Sequence, residues 1–173
     1  ATLRQGEISP SRISIKEKSM KRIAKFHKVS EKRFLEDWKD TFPDAEEEEI
    51  KKIYADILLP ERATAGSAGY DFFSPADFSL APGGIIKIPT GIRVEMEQDW
   101  VLKCYPRSGL GFRYRLQLNN TVGIIDSDYF YSDNEGHIFA KLTNDGREGK
   151  KRRTCKRKRI YAGNFCRIRD YRR

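Results

Sequence analysis

Cysteine, histidine and long apolar runs are all scarce in this 173-residue chain, and each scarcity closes a class of explanation. The three cysteines, Cys104, Cys155 and Cys166, form no CxxC pair and leave one odd thiol, so neither a disulfide framework nor a zinc ribbon is expected. No apolar stretch approaches the ~18 residues of a membrane-spanning helix, and no charged-then-apolar segment opens the chain as a signal peptide would. A cytoplasmic protein without a membrane partner is the expectation. The only two histidines, His27 and His137, stand too far apart to suggest a pair, and neither is given a role. Strand–helix alternation is also missing, which argues against a parallel α/β sheet.

Basic charge is present in excess, but only at one end. The net charge is +9, yet residues 151–173 hold eleven Lys/Arg against one Asp, leaving 23 bases and 24 acids in residues 1–150. The body is neutral. The tail offers two aromatics, Tyr161 and Phe165, in its first 20 residues and no RNA-binding signature, so nucleic acid is not the expected partner. Like charges at this density point to a solvated, disordered tail.

The length suits one ordinary domain with a core of its own. Residues 1–19 show neither helical nor strand periodicity and read as an unstructured leader. Residues 20–57 read as a helical N-terminal extension. Ser30 is placed as an N-cap ahead of Phe34, Leu35 and Trp38 on one face, Pro43 as a stop, and Asp44 with Glu47 as a capping box for a second helix. From residue 58 to 150 the pattern changes to short apolar runs punctuated by Gly, Pro and Asn, and GIRVEM and HIFAKL alternate. Short antiparallel strands with tight turns are expected there. The fold class is therefore mainly β with a short helical segment in front.

Three segments carry chemistry. In Ser67-Ala68-Gly69-Tyr70-Asp71, small residues permit a sharp turn and close backbone approach, and Asp71 suits either a hydrated divalent cation or a plain β-turn. In Pro106-Arg107-Ser108-Gly109-Leu110-Gly111, a guanidinium, a hydroxyl and flexible N–H groups suit phosphate oxygens, although the GK[ST] ending of a Walker loop is absent. In Asn119 to Tyr129, NNTVGIIDSDY, an apolar strand runs into Asp126, with an aromatic three residues on. A carboxylate at a strand end can deprotonate a water and a tyrosine can pack on a sugar, but a hairpin with polar turn residues reads equally well from the segment alone.

In this order, SAGYD, PRSGLG and NNTVGIIDSDY closely resemble the first three motifs of the trimeric, all-β deoxyuridine triphosphate nucleotidohydrolases, over roughly residues 57–150. That resemblance implies a dUTPase-like barrel or jelly-roll that hydrolyses dUTP to dUMP and pyrophosphate. It makes Asp126 the water-activating aspartate and places Tyr129 under the deoxyribose, excluding a ribose 2′-OH. Asn120 and the Gly123, Ile124, Ile125 backbone become the uracil reader, and Arg107, Ser108 and Gly109 the phosphate binders. Asp71 becomes the residue that holds Mg²⁺ through water, and a homotrimer is the implied assembly. A dCTP deaminase of the same fold, or a non-catalytic nucleotide- or nucleic-acid-binding module with a basic tail, are the alternative readings.

The sequence departs from the family in two places. Six residues, FYSDNE, separate Tyr129 from Gly136 where many relatives have a single one. The family's later glutamine-bearing strand and glycine-rich closing arm are replaced by a basic tail, which argues against a tight trimer and full activity. Codons chosen for Arg159 to Tyr171 also read, one base later, as GFMQGIFAEYGI, which resembles the missing strand; the tail is expected to be a frameshift product from near Lys150. Lys16-Glu17, encodable as a purine run ahead of Met20, makes Met20 the expected natural start and residues 1–19 translated leader.

Overall fold

The computed structural model describes residues 22–146 in full, together with the backbone of Arg153–Cys155 and Arg159–Arg167. The unstructured leader expected for residues 1–19 lies outside the described residues.

The first element is a strand, β1 (Ala24–Lys28), where the sequence suggested only helix. It pairs antiparallel with β5 (Ile92–Met96), from Ala24 opposite Met96 to Lys28 opposite Ile92. Phe26, its one large apolar side chain, packs edge-on against Tyr70 and Phe72 at centroid distances of 5.3 and 5.5 Å. A single anchor among lysines leaves almost no periodicity to read. Pairing with an otherwise open strand edge decides the conformation instead.

Two helices follow as expected. In α1 (Glu31–Thr41) the Ser30 hydroxyl caps the first turn by accepting from the Arg33 N–H at 3.1 Å. Phe34 and Trp38 face inward and are buried. The second helix, α2 (Glu47–Ala55), departs from the expected capping box: Glu46 occupies the N-cap and makes no side-chain cap bond. Three glutamates in the first turn supply favourable charge against the helix dipole instead. Ile50, fully buried, fastens α2 to the same core as Phe34.

The rest is β. The strands β2 (Tyr70–Phe73), β3 (Phe78–Leu80), β4 (Ile85–Pro89), β6 (Trp100–Pro106), β7 (Leu116–Leu118), β8 (Gly123–Ile125) and β9 (Phe139–Asn144) join β1 and β5. A three-stranded sheet runs β4-β9-β7, and all the described pairings are antiparallel. The core joins both layers and the helices: Phe34, Ile50, Phe72, Leu102, Leu116 and Leu142 are all at most 1 % exposed. Gly91 marks the tightest helix–sheet approach. Its φ is +72°, and a Cβ there would lie 2.2 Å from Ile57 Cδ1, so a side chain would be strained and would push Ile57 aside.

The tail requires a correction. It was expected to be disordered, yet β10 (Arg153–Cys155) pairs with β3, and β11 (Arg159–Arg167) lies inside a four-stranded sheet ordered β2-β11-β6-β8. In that sheet Ala162 stands opposite both Asp71 and Tyr105, and Phe165 opposite Leu102. The physical reason lies in where the charge sits. Residues 160–166 carry none, so the arginines fall at the two ends of β11 while the uncharged middle supplies backbone donors and acceptors to two strands that need them. Among the described residues no helix is long and apolar enough to cross a membrane.

Candidate active site

The SAGYD segment leads into β2 and buries its aspartate. Asp71 is 3 % exposed, exchanges backbone hydrogen bonds with Glu61, and forms an ion pair with Arg107. Arg107 sits just past the end of β6, where Pro106 stops the ladder. Its side chain remains 40 % exposed. Ser108 and Gly109 beyond it are exposed, and a π-helical turn, Leu110–Tyr114, returns the chain to β7. A Cβ at Gly109 or Gly111 would meet nothing within 4 Å, so the backbone here is open to approach by a ligand.

The third segment carries the chain from β7, paired with β9, through a turn into β8, paired with β6. Asn120 is exposed at its turn, near Gly123: a Cβ on Gly123 would come within 3.2 Å of Cys104 Cβ and 3.8 Å of Asn120 Nδ2. Cys104 is the buried strand residue the sequence suggested, and burial pushes its thiol up to about 12, which makes it inert as a nucleophile. Asp126 follows the end of β8, exposed, as the N-cap of a 3-10 turn spanning Ser127–Tyr131. A cavity of about 630 Å³ opens beside it, lined in part by Ile124, Ile125, Asp126, Tyr129, Ile138 and Phe139. That volume suits a nucleoside-sized ligand.

Tyr129 is held at both ends of its hydroxyl. It donates to the His137 carbonyl at 2.8 Å and accepts from Asn134 Nδ2 at 2.8 Å. Gly136, φ +67°, lies so close beneath the loop that a Cβ would sit 2.7 Å from the Tyr129 carbonyl oxygen. Sequence reasoning missed the residues that hold this arrangement. His137 is fully buried, its Nε2 accepts from the Gly91 N–H at 2.8 Å, and its Nδ1 lies 2.5 Å from Asp37 Oδ2. With Nε2 an acceptor, the ring proton sits on Nδ1. Burial lowers the His137 pKa below 6.5 despite the neighbouring Asp37. Glu135 is held below the ordinary 4.5: burial pushes it up, but hydrogen bonds from the Ser30 hydroxyl and N–H, with Arg93 and Arg33 nearby, outweigh that. The only sequence signal was the FYSDNE insert itself.

The two halves of the site lie apart. Leu102 stands opposite Ile125, so Asp126 falls at the Val101 end of β6 while Arg107 follows its other end. Six residues of extended strand separate those ends, roughly 20 Å. The structure thus brings Asp71 to Arg107, and Ile124, Ile125, Asp126 and Tyr129 to one cavity, but does not bring Asp126 to Arg107.

An antiparallel β body with a polar-rimmed cavity at the end of β8 defines a small-ligand-binding β fold. A family model described as dUTPase matches residues 55–149, more than half of the chain, and the chain belongs to the dUTPase family. It is 43 % identical over 99 residues to the deoxyuridine 5′-triphosphate nucleotidohydrolase of Dictyoglomus turgidum, a match covering 55 % of this chain and 64 % of that protein. The chain thus spans somewhat under two thirds of the length of the curated relatives it matches. The crystal structure of dUTPase from Streptococcus mutans superposes with a TM-score of 0.59 at 35 % identity, covering 65 % of this chain and 88 % of that one. A mutant dUTPase from phage phi11 of S. aureus, which coordinates a structural Mg(II) ion, shares the fold at a TM-score of 0.58 and 18 % identity, covering 85 % of this chain and 92 % of that one.

Proposed function

We propose that the chain hydrolyses dUTP to dUMP and pyrophosphate, with Asp126 as the general base. The observation that carries this reading is the exposed Asp126 carboxylate at the mouth of a nucleoside-sized cavity whose other wall is the fixed Tyr129 ring. In the reaction the α–β phosphoanhydride breaks, the water oxygen ends on phosphorus, and the proton passes to Asp126. No covalent nucleophile is needed, consistent with the inert Cys104.

Tyr129 is the floor under the deoxyribose, where a ribose hydroxyl would collide. Asn120 and the backbone of Gly123, Ile124 and Ile125 read the uracil edge and leave no space for a 5-methyl group. Arg107, Ser108 and Gly109 take the phosphates. A guanidinium has five N–H donors, so its pairing with Asp71 leaves others for phosphate oxygens.

Magnesium was expected at Asp71 through water. Among the described residues no three of His, Cys, Asp and Glu converge as a metal-holding group. Asp71 itself is buried and charge-matched by Arg107. The lack of such a group excludes a directly ligated cluster among them, whereas a single carboxylate reaching Mg²⁺ through water, as proposed for Asp71, needs none; the ion would arrive with the triphosphate and supply charge neutralisation there.

One triphosphate has to meet both Asp126 and Arg107, and a strand's length within one chain keeps them apart. A site shared between copies resolves that separation and supports the homotrimer, with the Asp126 segment of one copy facing the Arg107 segment of another. The test is pyrophosphate release from dUTP by the full chain. Asp126→Asn keeps the shape but cannot accept the proton, and turnover falls by ~10²–10⁴ while nucleotide binding persists. Undiminished turnover in that variant overturns the assignment.

A further inference from the structure

We propose that α1 is a brace for the sugar-facing wall of the site, with Asp37 and His137 as positioning residues that set where the Tyr129 ring stands. The inference rests on the reading of Tyr129 as that wall. The helix lies outside the matched family segment, and the brace reaches the site through the FYSDNE insert.

Two struts run from the helix to the loop. In the first, Arg33 donates to Asp37 through Nε at 3.0 Å and Nη2 at 2.7 Å, fixing the carboxylate. Asp37 holds His137 at Nδ1, and the Gly91 N–H holds the opposite ring nitrogen. A ring pinned at both nitrogens and packed at a 37° tilt 4.5 Å from Phe139 cannot shift without breaking buried hydrogen bonds. Its backbone carbonyl is therefore a fixed acceptor, and that carbonyl is the one Tyr129 Oη donates to. In the second strut, Glu135 accepts from the Ser30 N–H at 2.8 Å and the Ser30 hydroxyl at 2.6 Å, while that hydroxyl also caps α1. Arg93 lies 3.7 Å from Glu135, stacks 3.7 Å from the Phe130 centroid, and donates to the Phe130 carbonyl at 2.5 Å. The insert is thus tied to α1 just after Asn134, through Glu135 and His137, and to β5 ahead of it, where Arg93 holds Phe130; Asn134 between them donates to Tyr129 Oη.

The arrangement has a directional consequence. Phe34 and Trp38 seat α1 in the core, so the helix is the fixed member and the ten-residue loop from Asp126 to Glu135 is the one positioned. Removing the acceptor on Asp37 frees the His137 ring and its carbonyl, and Tyr129 loses its reference point.

Fluorine NMR of the full chain labelled with 3-fluorotyrosine, with the Tyr129 signal assigned by Tyr129→Phe, reads this without any nucleotide. Asp37→Ala is expected to shift or broaden the Tyr129 signal while those of Tyr105 and Tyr114 stay in place. Asp37→Asn, which still offers an oxygen to the His137 Nδ1–H, is expected to restore it. Glu135→Gln weakens the second strut while leaving the Ser30 cap of α1 in place, and gives the same, smaller effect should Asp37→Ala fail to fold. In parallel, the preference for dUTP over UTP should fall on the order of tenfold in Asp37→Ala, the weight of about one hydrogen bond. An unmoved Tyr129 signal in the folded variants overturns the brace. A moved signal, with a sugar preference that even Tyr129→Ala leaves intact, upholds the brace and overturns the sugar-wall reading instead.

Discussion

His137 and Glu135 make the loop sensitive to acid, and the sign follows from their pKa directions. Burial keeps the native His137 ring neutral, with a pKa below the 6.5 of an unperturbed imidazole. The unfolded chain therefore binds a proton that the native state refuses. The associated stability is intact above 6.5 and is lost as pH falls below it. Glu135 acts in the same direction lower down, because its native pKa is depressed below 4.5 by its Ser30 bonds after they offset its burial. Its contribution is present above 4.5 and is lost as pH drops through the native value. The urea midpoint should thus decline as pH is lowered from about 7 to about 5 and decline further towards about 4. A flat midpoint across the upper step would show that His137 is not buried as a neutral ring. At this scale the sequence was legible only where chemistry is local. Asp71, Asp126 and Tyr129 announce themselves by their neighbours, whereas His137 depends on an aspartate 100 residues away that nothing in the linear order connects to it.

Strands reveal a different limit. The apolar runs at β5 and β9 could be read because the alternation of GIRVEM and HIFAKL records a buried face. β1 and β11 could not, because what fixes them is an unpaired partner edge rather than their own pattern. In β11 the charge count of the whole tail obscured an uncharged run at residues 160–166. The shifted reading of the same bases, GFMQGIFAEYGI, keeps glycine and phenylalanine at positions 163 and 165, which stand opposite Cys104 and Leu102, and likewise places no charge between 160 and 166. A strand in this slot is thus compatible with either frame. Its removal should be costly. A chain ending at residue 150 loses both β10 and β11, leaving β2 without its strand neighbour in the sheet and β6 with an open edge. Open edges beside apolar faces favour self-association. Such a truncation should scatter light and lose a cooperative thermal transition. A soluble, cooperatively melting product would show that β11 contributes little beyond the pairing seen.

For the molecule as a whole, the decisive fact is the separation of Asp126 and Arg107 at opposite ends of β6. A general base has to stand within hydrogen-bond reach of its water, and a phosphate binder within reach of the same triphosphate, so a roughly 20 Å strand cannot be spanned by side-chain motion. With Asp126 and Arg107 in the roles proposed above, either the chain is inactive alone or its copies lend each other these groups. Exposed Phe112, 89 % accessible beside the Arg107 segment, and Ile124, 52 % accessible beside Asp126, place apolar surface at both halves, as a contact between them requires. Mixing distinguishes the cases. Asp126→Asn and Arg107→Ala should each abolish turnover when assembled alone. Unfolded together and refolded as a mixture, some assemblies pair the intact Asp126 of one copy with the intact Arg107 of another, and turnover returns in part. If both groups served one chain's own site, every chain in the mixture would still lack one of them and no activity could return. Recovery that appears only after joint refolding, and grows with protein concentration, is the expected result; a mixture as inactive as its parents would remove the shared site.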